Sequence, residues 1–208
     1  FGTGSYIATD DLTNEDEQSF YALWDNEWGS TISRSELQEQ TFSQSGGFRQ
    51  INAIATPVVD PKGWFIDFPT SSGSPSERIV TNPLMKNFTT LEDRVLFVTT
   101  IPTTDPCDRG GSSWLMELRA ETGDAFSTPV LDTDGDGDID ADDSIVAGAK
   151  LDQNLGIVTS LTWVSGDGVA MKYFPGSKGT VGSLKNTDDP NPPPGVLTPT
   201  RVYWQQIM

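Results

Sequence analysis

Short runs of β-branched and aromatic residues, each cut off by Gly, Pro, Asp, Asn or Ser, set the strongest limit on what this chain can fold into. They lie at residues 19–24, 63–68, 78–85, 94–101, 113–119, 156–164, 169–174 and 201–207. Such side chains suit a pleated, half-buried surface, and the residues between the runs suit turns. Helical periodicity is scarce. Its best stretch is 34–40, with Ser33 placed to cap the first free amides. The run centres are spaced by roughly 8 to 20 residues, which fits an antiparallel meander, a sandwich or a propeller. Four consecutive runs between residues 63 and 119 predict a four-stranded meander, the size of one propeller blade. The expected class is therefore all-β: a partial or modified β-propeller of four-stranded antiparallel blades.

Residues 132–143 interrupt this pattern with seven aspartates in twelve positions. Two unit charges about 4 Å apart repel by roughly 4 kcal/mol at a surface-like dielectric, so the segment is either disordered or neutralised by a hard cation. Its spacing matches an EF-hand-type calcium loop. Asp132, Asp134 and Asp136 alternate at positions 1, 3 and 5, so their carboxylates can converge on one Ca2+ ion. Gly137 at position 6 permits the sharp turn, and Asp138 at position 7 would offer its backbone carbonyl while its side chain points outward. Ile139 would pack inward. Asp140 would bind directly or through water, and Asp143 would close the shell, with Asp142 as the alternative at that place. An all-oxygen set disfavours soft metals, and magnesium prefers to keep its waters. The flanks carry no helix pattern: Pro129 precedes the loop, and residues 144–149 have room for one helical turn at most. The expectation is a calcium loop inserted between strands, without the helix pair that opens in a calcium sensor.

Composition removes several function classes. The net charge of −17 opposes nucleic acid and anionic membrane surfaces, both of which need a basic face. Histidine is absent, so zinc sites and Ser-His-Asp or Cys-His machinery have no place here. Cys107 is the only cysteine, read as a quiet thiol or as a partner for a cysteine outside this chain. No run approaches the roughly 20 apolar residues of a membrane helix. The six tryptophans, Trp24, Trp28, Trp64, Trp114, Trp163 and Trp204, are read as core rather than as a sugar-binding face, and Glu77 with Asp67 has no spacing that marks a glycosidase pair. The Asn87-Phe88-Thr89 triplet is read as a chance match to a glycosylation acceptor. Residues 186–200, rich in proline that cannot donate to a ladder, read as an extended surface connector, and residues 201–207 as a final, ring-closing strand. The opening Phe1-Gly2-Thr3-Gly4-Ser5-Tyr6 reads as a strand end and a turn, so a mature or partial chain is expected.

Several phrases, taken in order, resemble the C-terminal domain of PilY-type type IV pilus proteins. They are Phe1-Gly2-Thr3-Gly4 with Gln18-Ser19-Phe20-Tyr21 and Trp24-Asp25; Gly63-Trp64-Phe65-Ile66-Asp67-Phe68; Glu77-Arg78-Ile79-Val80-Thr81-Asn82-Pro83; Asp105-Pro106-Cys107 with Gly110-Gly111-Ser112-Ser113-Trp114-Leu115-Met116-Glu117-Leu118; and the closing Arg201-Val202-Tyr203-Trp204. The match spans nearly the whole chain. It implies a modified β-propeller at the bacterial surface or pilus tip, exported through the periplasm. It further implies a role in pilus assembly, retraction balance and attachment to a host or abiotic surface, with minor pilins or other pilus-tip subunits as partners. It also implies a regulatory calcium loop, falling here on Asp132, Asp134, Asp136, Asp138 through its carbonyl, and Asp140. Two departures stand out. Family members are usually far longer, so residues 1–208 would be the C-terminal part of a propeller completed by the upstream part of the same protein, even as a separate chain. Asp108-Arg109-Gly110-Gly111 is not an Arg-Gly-Asp triplet, so integrin binding does not carry over.

The reading is a non-enzymatic calcium-binding pilus factor. A dockerin-like or polysaccharide-binding assembly module is the first alternative, requiring a second loop or helical flanks. A quinoprotein-type propeller enzyme is the second; the strand ending in Thr122-Gly123 is similar to a repeated phrase of that class, and residues 19–25 echo its first half, but no base is evident.

Overall fold

The computed structural model describes residues 1–26, 29, 31–87, 92–105, 110–166 and 169–186. Among the described residues it is all-β, with twelve strands and two short 3-10 turns at Thr9–Leu12 and Arg34–Glu36. Strands β1 (Gln18–Leu23), β5 (Gly63–Phe68) and β2 (Gln38–Gln40) form one sheet in the order β1-β5-β2, with β2 parallel to β5. A six-stranded antiparallel sheet follows the order β3-β4-β9-β8-β7-β6. Its strands are β3 (Phe42–Ser45), β4 (Phe48–Ile51), β6 (Leu84–Lys86), β7 (Arg94–Pro102), β8 (Gly111–Arg119) and β9 (Gly148–Lys150). The third sheet is the meander β10 (Thr162–Gly166), β11 (Val169–Pro175) and β12 (Val181–Asn186).

Strands β7 and β8 are the centre of the molecule because both of their faces are covered. Side chains alternate across a strand, and here the two sets enter different cores. Val95, Phe97, Met116 and Leu118 join Phe20, Trp64, Ile66 and Phe68 of the β1-β5-β2 sheet. Val98 and Leu115 face the other way, toward Phe174 of β11 and the loop residues Phe126, Val130 and Leu131. Burial on both sides explains why residues 95–98 form an unbroken apolar run. Gly123 sits in the left-handed region at φ 74°, and a Cβ there would lie 2.5 Å from the Trp64 ring, so a glycine at 123 is required for the Thr122-Gly123 turn to lie against that ring.

Three expectations are corrected. The helix at 34–40 is a single 3-10 turn that passes into β2. Ser33 does stand at the N-cap of that turn, and its amide donates to Glu36 Oε2 at 2.8 Å. One turn does not repay the cost of helix nucleation, and residues 38–40 gain ladder pairing with β5 and a 2.7 Å bond from Gln40 Nε2 to the Thr122 carbonyl instead. The four-stranded meander over 63–119 is split: β5 belongs to the first sheet, and β6, β7 and β8 run consecutively in the second. The runs at 78–85 and 156–164 are mostly irregular. Arg78 makes one bridge with Thr100 and Val158 one with Gly176, before β6 and β10 begin. Among the expected elements, the closing strand at 201–207 lies outside the described residues, as does the connector after Asn186, which itself ends β12.

Candidate metal centre

The acidic loop belongs to a long connection, residues 120–147, between β8 and β9. Ordinary connections run to about five residues, so this one needs its own anchors. Leu131 immediately before the loop and Val146 just after it are buried in the core shared by the second and third sheets. Between them Asp134, Asp136, Asp138, Asp140 and Asp142 are exposed, Asp132 and Ile139 are half-buried, and Asp143 is buried. Among the described residues no α-helix flanks the loop, which sits between strands as the flanking sequence predicts; a dockerin-like module would need those helices.

Asp132, Asp134 and Asp136 come together: one carboxylate oxygen from each lies within 4.8 Å of the others. That spread equals about twice a calcium–oxygen distance of 2.3–2.6 Å, so three oxygens so placed can touch one ion. The backbone is wound by carboxylate–amide bonds. Asp132 accepts from the Gly135 amide at 2.6 Å and the Gly137 amide at 2.9 Å, Asp134 from the Asp136 amide at 3.1 Å, and Asp136 from the Asp138 amide at 2.8 Å. Gly135 and Gly137 take φ of 83° and 94°, in the left-handed region that a side chain resists. These bonds leave carboxylate lone pairs free, since each carboxylate offers about four acceptor sites. The residues present therefore fit a hard cation in chemistry and in spacing.

The other expected ligands are placed differently from the triad. Asp143 is buried and faces inward across the loop. Its Oδ1 accepts from the Thr133 amide at 2.5 Å and from the Thr133 hydroxyl at 3.1 Å, and its Oδ2 from the Asp140 amide at 3.0 Å. Those bonds, the Thr133 amide foremost, hold its carboxyl below the ordinary carboxylate value despite partial desolvation. Asp140 caps the Asp142 amide at 2.9 Å, and Asp142 is exposed. The Asp138 side chain points outward, as expected, and pairs with Lys185 of β12. That hydrogen bond, followed by the Asp138 charge, raises the Lys185 pKa.

Sequence reasoning missed Lys185, which lies 47 residues beyond Asp138 and has no spacing signal that ties it to the loop. It also missed two buried ion groups. Arg49 of β4 forms a two-pronged pair with Glu77, both contacts at 2.6 Å, while its guanidinium lies 4.0 Å from the Trp114 ring. Glu117 of β8 binds Lys172 of β11, Arg94 of β7 at 2.8 Å and Asn186 of β12. Burial raises the Glu117 pKa, but Lys172 and Arg94 together outweigh it and hold the carboxyl ionised, below its ordinary value. Glu77 and Asp67 are thus each taken by an arginine, Asp67 by Arg34. Trp64 and Trp114 are core residues, whereas Trp24 is 37% exposed. Cys107, Trp28, Trp204 and most of the Asn87-Phe88-Thr89 triplet lie outside the described residues.

Fold and site together define an all-β, three-sheet domain with a surface acidic loop able to hold a metal ion. No protein-family model matches the chain. It is 29% identical over 132 residues to a type IV pilus biogenesis factor PilY1 homolog of Xylella fastidiosa, covering 60% of this chain and 9% of the relative. A second PilY1 homolog of that organism is 28% identical across the whole chain, over 16% of its own length. PilY1 of Pseudomonas aeruginosa is 27% identical over 165 residues, covering 67% of the chain and 14% of the relative. In structure, the chain superposes on the crystal structure of the Pseudomonas aeruginosa PilY1 C-terminal domain with a TM-score of 0.65 at 22% identity, over 90% of this chain and 40% of that one. The chain is PilY1-like in sequence and shares the fold of that domain. It spans less than a fifth of the length of these curated relatives, which are named as pilus biogenesis factors rather than as enzymes.

Proposed function

We propose that this chain is the calcium-binding C-terminal part of a type IV pilus biogenesis factor, acting at the bacterial surface or pilus tip in assembly and surface attachment. The observation that carries the calcium reading is the convergence of Asp132, Asp134 and Asp136 within 4.8 Å on a loop anchored at both ends in the core. In this reading Ca2+ takes one oxygen from each of the three, the Asp138 carbonyl, and Asp140 directly or through water. Asp143 orders the loop from beneath or closes the shell by turning a lone pair to the ion. The bound ion cancels the repulsion among the carboxylates, and the loop then presents a fixed contact surface to minor pilins, other pilus-tip subunits, or a host or abiotic surface. The three sheets would be part of a modified propeller, with residues 1–208 as its C-terminal portion, 186–200 as connector and 201–207 as the closing strand.

The likeness to PilY1 relatives supports the pilus context, and the all-oxygen donor set supports calcium over softer metals. Terbium luminescence tests the site: the wild type should bind the ion and release it to excess calcium, and the Asp132→Ala/Asp136→Ala variant should lose that binding. Equal binding by both proteins would remove the site assignment. At a calcium concentration 100 times its dissociation constant, the wild type should gain about 2.7 kcal/mol of stability that the variant does not.

A further inference from the structure

Lys185 of β12 ties the acidic loop to the third sheet. The Lys185 ammonium of β12 pairs with the Asp138 carboxylate and donates to the Gly137 carbonyl at 3.2 Å. Between the loop and this strand lies a cavity of about 380 Å³, lined among others by Leu131, Ala149, Met171 and Leu184. Lys185 therefore reaches across a gap to the loop.

The place where it grips the loop matters. Position 7 of a calcium loop gives the ion its backbone carbonyl and keeps its side chain free. Asp138 stands at that position, so Lys185 holds the carboxylate that the ion does not use, on the residue whose backbone the ion would fix. Ammonium and ion do not compete for an oxygen. The next residue along the strand, Asn186, points to the opposite face, as strand alternation requires. Its amide nitrogen lies 3.1 Å and 3.3 Å from the two Glu117 oxygens, and its Oδ1 accepts from Arg94 at 3.0 Å. Two adjacent residues thus join the surface loop on one side of β12 to the buried ion group on the other.

We propose that Lys185 is a positioning residue that couples occupancy of the acidic loop to the order of β12. Fixing the backbone at Asp138 fixes the carboxylate that Lys185 holds, and this restrains the strand whose other face is locked to Glu117. The coupling rests on the calcium reading above.

Hydrogen exchange measured on the whole chain, with and without saturating calcium, reads both ends of the link. In the wild type, calcium should slow exchange in the loop and, by about fivefold, in residues 181–186. Lys185→Met and Lys185→Gln should each keep the slowing in the loop and lose it in β12, and Lys185→Arg should restore it. Lys185→Gln keeps a polar side chain at this partly exposed place, so the outcome does not depend on how β12 tolerates methionine. Slowing confined to the loop in the wild type, or slowing of β12 that survives Lys185→Met and Lys185→Gln, overturns the coupling and leaves the calcium site standing. No slowing anywhere, with no terbium luminescence, overturns the calcium reading and the coupling with it.

Discussion

Glu117 and Asp134 are both carboxylates among charged neighbours, yet the chain treats them in opposite ways. Glu117 is fully buried, and its counter-charges, Lys172 and Arg94, belong to the same polypeptide. Asp134 is exposed and grouped with Asp132 and Asp136, carboxylates of its own sign. The first group is complete as folded, and it joins β7, β8, β11 and β12 whatever the solvent contains. The second group gathers like charges at the surface, and in the calcium reading proposed above a cation from solution completes it. A buried ion group pays its desolvation once, during folding, and stays shut; a surface loop of like charges is conditional, which is what a ligand-responsive element requires. Lys185 and Asn186, side by side on β12, connect the two.

The largest effect should come from breaking the closed group. Glu117→Gln leaves Lys172 and Arg94 buried against a neutral amide, and should cost about 3–5 kcal/mol, the usual range for a buried pair that loses one partner. Urea unfolding should show most of this loss even without calcium, because the counter-charges belong to the chain itself. A loss seen only with calcium would mean that the buried group is not complete as folded.

The intermediate effect concerns the loop in acid. The Asp143 carboxyl is held below its ordinary value by amide bonds. Its contribution to folding is therefore complete above about pH 4, its unfolded value, shrinks as the pH falls through that value, and is gone once the pH passes below the folded one. Amide exchange at Thr133, Asp134 and Asp140 should accelerate over that window in the absence of calcium, and Asp143→Asn should show the fast exchange already at neutral pH. If those amides stay protected in the variant, Asp143 does not organise the loop.

The smallest effect separates Asp142 from Asp143 at the last loop position. Asp142 is exposed, and Asp142→Asn should change stability by no more than about 0.5 kcal/mol. Its terbium affinity should stay near that of the wild type. A clear loss of affinity would place Asp142, rather than Asp143, in the shell.

Legibility followed local chemistry. Strands β1, β5, β7, β8 and β11 were readable because their apolar and aromatic residues have no other use. Strands β2, β9 and β12 were not, since Gln38-Glu39-Gln40, Gly148-Ala149-Lys150 and Val181-Gly182-Ser183-Leu184-Lys185-Asn186 look like loop sequence and pair only because a neighbouring strand offers its ladder. The β3–β4 hairpin did carry a signal, Gly46-Gly47 with φ of 61° and 89°, the usual mark of a tight hairpin turn. Of the expected ligands, the alternating triad was legible because its spacing is itself the geometry. Asp143 was legible as a loop member, but its inward role was not, because that role depends on which amides the folded loop turns toward it.

From residue types alone came the β class, the position of the acidic loop between strands and its demand for a positive partner. Each follows from short-range sterics or from like charges near in sequence. Only the tertiary structure decided that β5 leaves the meander for another sheet, that Glu117 meets Lys172 and Arg94, and that Lys185 reaches Asp138. Those contacts join residues 23 to 55 positions apart, and no local preference selects among such partners until sheets stack and bury them together.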